Sequence, residues 1–307
     1  MSAMKKSQND MQENESVEYR VKDNTYGIAD FQSELLRILK QFMRICEKYN
    51  LRWWASGGTC IGALRHKGFI PWDDDLDVAM PRPDYEKLWS LREEINKAGH
   101  FVITRTSKEK NYHHRVMQLV DTKTTFIHAR SVDEDIEHGV YIDILPMDAC
   151  AKGKVRYYRQ IANAMMFSVY NIQCLPEYND GKRVRALTKF ALSVVRNKSL
   201  RYKIWTHCES KMKKYEWGKT GRIVHLACDT KSMLNPYDDS WFSGVKKHQF
   251  ENIEINLPVG AENYLKQYFG DYMQLPPVES RHPVHNTILI DLNNPYTNYK
   301  GIYYCKD

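Results

Sequence analysis

LRWWASGGTCIGALRHKGFIPWDDDLDVAMPRPDYEKL, residues 51–88, decides how the rest of this chain is read. It opens on Trp53-Trp54-Ala55, an apolar run suited to a short buried strand. Ser56-Gly57-Gly58-Thr59 predicts a tight turn, because paired glycines adopt backbone angles that other residues avoid and let N–H groups approach a ligand closely. A helical segment over 60–64 would aim its unpaired N–H groups at an anion. Arg65-His66-Lys67-Gly68 adds cationic side chains, and Asp73, Asp74, Asp75 and Asp77 follow.

Asp75-Leu76-Asp77-Val78 alternates polar and apolar. On a strand, this pattern puts both carboxylates on one face and Leu76 and Val78 in the core. Two carboxylates so close repel each other unless a cation lies between them. A hard divalent ion resolves that, with Mg²⁺ as the expected cofactor and Mn²⁺ as its substitute. The competing reading is a solvated acidic loop. Phosphate-cradling glycines, basic residues and a metal-ready carboxylate pair in one stretch point to phosphoryl or nucleotidyl transfer.

GGTCIGALRHKGFIPWDDDLDVAMPR also resembles the signature of the LicD family, phosphotransferases that decorate bacterial surface glycans. The resemblance implies an α/β (α+β) nucleotidyltransferase fold of the polymerase-β type: a mixed sheet flanked by helices, here with a helical insertion over 152–221. It also implies a third carboxylate on a later strand. VYIDILPMD, residues 140–148, resembles the family's phrase at that point and marks Asp143. From the residues alone, an Asp in an apolar strand is costly to ionise without a partner, and a hydrogen-bonded structural Asp is the alternative. Asp148 is expected to cap a turn or the following helix. YFGDYMQLPP and Arg281-His282-Pro283 resemble the family's C-terminal phrases, so the likeness spans about 27–285.

What the resemblance implies is transfer of a phosphorylated small alcohol, most often phosphocholine, from a CDP-alcohol donor to a hydroxyl of a glycan or lipid-linked oligosaccharide. Lipopolysaccharide, teichoic acid and capsule are the glycans in view. Asp75, Asp77 and Asp143 would be catalytic and hold the metal. Gly57, Gly58, Thr59, Arg65 and Lys67 would hold donor phosphates. Arg281, His282 and His285 either reach those phosphates or sit on a surface loop. Trp72 is a candidate face for a quaternary ammonium. The rival readings are a nucleotidyltransferase using an NTP, and a binding module of the same fold without turnover.

Outside the motif, composition sets bounds. The chain has 307 residues, 42% hydrophobic and 27% charged, a globular balance. Net charge is +7, which favours anionic partners. No zinc-finger spacing or RNP-like motif supports nucleic acid as that partner. Seven scattered cysteines without a CxxC fit a reducing compartment. Residues 1–24 read as a flexible polar tail ahead of a catalytic domain over 25–307, with no signal peptide. The expected location is the cytoplasm, peripheral at the inner face of the membrane, since the basic amphipathic stretch 182–214 suits anionic lipid as well as a solvated face.

Among elements, Phe31, Leu35, Ile38, Leu39, Phe42 and Ile45 share one face of a helix that Asp30 would cap. A helix from Asp84 to Ile95 and a strand at 101–104 follow. Strands at 116–120 and 124–127 are expected to pair. His113 and His114, adjacent on an expected strand, would point to opposite faces and serve structural or surface roles. One strand is expected near 250–258 and a helix over 261–269 closed by Gly270.

Overall fold

The computed structural model describes residues 20–175, 182–283 and 287–306. Helix α1 (Ala29–Lys48) lays Phe31, Leu35, Ile38, Leu39, Phe42 and Ile45 into the main core. Asn24 takes the capping part, its Oδ1 accepting from the Ala29 N–H at 3.0 Å. Asp30 lies in the first turn instead, where its charge suits the helix dipole. Val21 is buried and its N–H donates to Ser33 Oγ at 2.8 Å, so residues assigned to the tail belong to the folded part. Residues 1–19 lie outside the described residues.

In chain order, β1 (Trp54–Ala55), α2 (Gly57–His66), β2 (Asp77–Pro81), α3 (Arg82–Ser90), α4 (Arg92–Lys97), β3 (Phe101–Thr104), β4 (Met117–Asp121), β5 (Thr125–His128) and β6 (Val140–Ala149) follow α1. The sheet runs β1-β2-β6-β4-β3. β2 and β6 are parallel, and the other pairs along it are antiparallel. β6 is the spine: Val140, Ile142 and Ile144 are fully buried, while Tyr141, Asp143 and Leu145 reach the opposite, partly open face. The expected pairing of 116–120 with 124–127 does not form. Asp121, buried and ion-paired with Arg37 of α1, ends β4, and Thr124 Oγ1 donates to its carbonyl oxygen at 2.9 Å. The chain thus leaves the sheet, and β5 pairs with β11 (Thr287–Asp291). The helix expected over 84–95 is two helices, α3 and α4, meeting at Leu91.

The helical region comprises α5 (Lys154–Ile172), α6 (Lys182–Val194) and α7 (Lys198–Met212). Ile161, Phe167, Tyr170, Trp205 and Met212 form a second core with Val224 and Leu226. It sits on the end of β6, which β7 (Arg222–Val224) and β8 (Tyr237–Asp238) extend. Asp148 is no cap: it lies in β6, fully buried, and binds Arg82 through both oxygens at 2.7 Å. After α8 (Thr230–Met233), the single strand expected near 250–258 is a hairpin, β9 (Val245–Phe250) and β10 (Ile253–Pro258), turned at Glu251 with φ +54°. α9 (Ala261–Phe269) ends at Gly270, φ +73°. No helix among the described residues is long and apolar enough to cross a membrane.

Candidate active site

β2 and β6 set Asp77 directly beside Asp143 in parallel register. Neighbouring strands lie ~4.8 Å apart and registered partners share a face, so the two carboxylates rise side by side. Gln118 on β4 is the register partner of Asp143 on its other side, and its Nε2 donates to Asp143 Oδ1 at 3.0 Å. Asp77, Asp143 and Gln118 therefore form a row across three strands. His114 adds an imidazole nitrogen 3.5 Å from Asp143 Oδ2. His114 is not on a strand, as expected from sequence, but in the loop before β4, with its ring edge-on to Tyr141. Its neighbour His113 does turn away, bonding the Ile172 carbonyl at 2.7 Å and Glu134 at 3.1 Å.

Asp75 lies ahead of β2, so the same-face relation holds across strands, between Asp77 and Asp143, and not along one strand. Asp75 still lines a cleft with Asp74, Leu76, Phe126, Tyr141 and Asp143. Asp73 is a fourth member that the alternating pattern does not single out. Gln32 of α1 holds its loop, donating to the Ile70 and Asp73 carbonyls at 3.0 and 2.9 Å. Burial and the carboxylates of Asp75, Asp143 and Asp73 push Asp77 well above the usual carboxylate range. Burial, repulsion by Asp75, a hydrogen bond to it and Asp74 do the same to Asp73, against the pull of Arg65.

The glycines belong to the first turn of α2, not to a turn before it. A Cβ on Gly58 would stand 2.6 Å from Asp73 Oδ2, and one on Gly57 3.4 Å from Asp77 Oδ2. Small residues here let the positive end of the helix meet the carboxylates. The Gly57 N–H donates to the Tyr264 hydroxyl at 3.1 Å. Thr59 Oγ1 accepts from the Asp77 N–H at 2.9 Å, so its side chain positions Asp77. Neither feature is the open phosphate cradle expected of that turn.

On the basic side, residues far apart in sequence converge. Arg65 Nη1 donates to the Tyr272 carbonyl at 2.6 Å. Arg281 stacks its guanidinium 5.4 Å over the Trp72 ring. Burial and the like charge of Arg281 hold Arg65 below its ordinary value, with Asp73 opposing. Two guanidiniums that repel each other beside an acidic cluster suit a ligand bearing both phosphate and a cation. Trp72 thus already faces a cation of the protein itself. Lys67 ends α2 in a left-handed conformation, φ +57°, with its side chain exposed; His282 is exposed and bonds the Pro283 carbonyl at 3.1 Å. The structure brings neither to the aspartates by any contact, because each lies on a turn facing solvent. His285 falls outside the described residues.

A second, shallow cleft adjoins the acidic one through Phe126 and Tyr141 and is lined by Tyr112, His114, Gln118 and His128. Tyr141 Oη and His128 Nε2 are 2.8 Å apart. These polar aromatic groups lead directly to Asp143. The acidic donor set, all hard oxygen with no thiol in it, suits a divalent cation in charge and chemistry. Among the described residues no three acidic, imidazole or thiol side chains are already closed around one point.

Residues 50–164 match the family model described as LicD/FKTN/FKRP, nucleotidyltransferase domain. The chain is 26% identical over 266 residues to lipopolysaccharide cholinephosphotransferase LicD of Haemophilus influenzae, an alignment covering 84% of this chain and 96% of that protein. A shorter segment is 36% identical over 61 residues to human ribitol 5-phosphate transferase FKRP, covering 19% of this chain and 12% of that protein.

Proposed function

Because the chain carries a LicD-family domain, we propose that it transfers a phosphorylated small alcohol, phosphocholine first, from a CDP-alcohol donor to a hydroxyl of a bacterial cell-surface glycan. The observation that carries this reading is the register that sets Asp77 beside Asp143, with Asp75 and Asp73 close enough to raise the Asp77 pKa. Such a cluster on a mixed sheet also supports a nucleotidyltransferase-type fold.

Asp77, Asp75 and Asp143 are the residues that would hold Mg²⁺ or Mn²⁺. A cation bound there supplies neutralisation of the phosphoryl oxygens as charge develops. Arg65 and Arg281 bind the donor pyrophosphate from the opposite side. Gln118 and His114 fix the Asp143 carboxylate, which faces the cleft that would admit the acceptor and can take the proton of its hydroxyl. The Gly57–Gly58 turn lets the helix start approach the same region.

The test is donor-dependent CMP release with a panel of CDP-alcohols and an NTP control. CMP from CDP-choline supports the reading; pyrophosphate from an NTP, without CMP from any CDP-alcohol, replaces it with nucleotidyl transfer. The similarity to a ribitol 5-phosphate transferase makes CDP-ribitol the second donor to try. Metal binding with no turnover on any donor would leave a binding module.

A further inference from the structure

A large part of the positive balance of this protein lies in one acid-free segment. Residues 182–208 hold eight of the 45 Lys and Arg and none of the 38 Asp and Glu, which leaves the rest of the chain with 37 against 38. The segment is α6, the turn after it and most of α7.

α6 has two apolar faces. One packs inward: Thr188 is buried, and Ala191, Leu192 and the following Val195 lie against the second core. The other points out. Leu187, Phe190 and Val194 follow at helical spacing and are 70%, 68% and 64% exposed. Val184 extends the row. These side chains add nothing to the core, which the first face already fills, and a row of large apolar groups on a helix marks an interaction surface. Lys189 on α6 and Arg196 and Lys198 just beyond it are exposed in the same segment.

We propose that α6 is an in-plane membrane-binding helix, seating Leu187, Phe190 and Val194 among the acyl chains of an anionic lipid surface with Lys189, Arg196 and Lys198 at the headgroups. Charge complementarity selects this occupant. A second copy of the chain would bring two uncompensated basic segments together, whereas anionic headgroups attract them. The inference does not depend on which donor the enzyme uses, since it concerns a surface on another core.

The test is flotation of the full chain with vesicles of phosphatidylcholine alone and of phosphatidylcholine mixed with phosphatidylglycerol. The expected result is binding to the mixed vesicles only, reversed by high salt. Leu187→Asp with Phe190→Asp should weaken partitioning about a hundredfold. Lys189→Glu with Lys198→Glu should weaken it about tenfold. Circular dichroism and CMP release in solution should stay as in the parent, because these side chains are exposed and away from the aspartates. The proposal is overturned by absence of binding at low salt, by equal binding to both vesicle types, or by indifference to the Leu187 and Phe190 changes. It is also overturned if the chain is a dimer that those changes dissociate, for then the face is an interface between copies.

Discussion

Asp77 carries opposed demands. The unfolded side chain ionises near ~3.9. Burial and the neighbouring carboxylates raise that value in the fold, so between the two values the folded state binds the extra proton. By linkage, stability falls as pH rises through that window. Asp77→Asn should therefore raise Tm in chelator at neutral pH while lowering CMP release about 10³-fold; a lower Tm with normal turnover refutes both assignments. The parent's Tm should rise on adding Mg²⁺, by about 2.7 kcal/mol of stability at a hundredfold excess over Kd, and that of Asp77→Asn should not. Gly58 offers a finer probe. The Cβ of Gly58→Ala would press on a movable Asp73 oxygen, so folding should lose no more than about 1 kcal/mol, while turnover falls about tenfold as that carboxylate shifts. Restoration of turnover in Gly58→Ala by Asp73→Gly would count against a working role for Asp73.

Among elements, the junction of β6, α3 and α7 is held by charge. Arg82 lies between Asp148 of β6 and Glu209 of α7, and Glu209 also pairs with Arg105. All four are buried. Arg82→Ala would strand Asp148 without its partner, and urea unfolding should show a loss of about 3–5 kcal/mol. Replacing the pair together, as Arg82→Met with Asp148→Leu, should cost clearly less, because no buried charge is then left alone. An equal loss in both variants would mean that the ion pair is not what joins the helical region to the sheet. This network also explains why Asp148, read in sequence as a cap, sits buried near the end of a strand: its partner is Arg82, 66 positions away.

For the whole molecule, acid sensitivity should come from its buried imidazoles. His225, 4% exposed, is held neutral by burial, its pKa lowered to about 4. The unfolded side chain protonates near ~6.5, so stability is lost as pH falls from there to about 4, by roughly 3 kcal/mol at the limit. Denaturant unfolding across that range should show the slope, and His225→Asn should flatten it. A slope unchanged by that substitution would place the proton uptake elsewhere.

Local pattern was enough for several features. The apolar face of α1, the short strand into a glycine start, the acidic run and the apolar strand around Asp143 all follow from periodicity and residue type, because each is decided by neighbours within a few residues. The second core, the pairing of β5 with β11, and the meeting of Arg65 with Arg281 were not readable that way. Nor were His114 and Gln118 at Asp143, since nothing in a loop histidine or a strand glutamine says which strand will lie beside it. Sequence by itself determined which groups are acidic, basic or apolar and on which side of their own element they lie. Only the tertiary structure decided which sides meet, because strand order and helix seating are chosen by burying the whole apolar surface at once, and no local run contains that information.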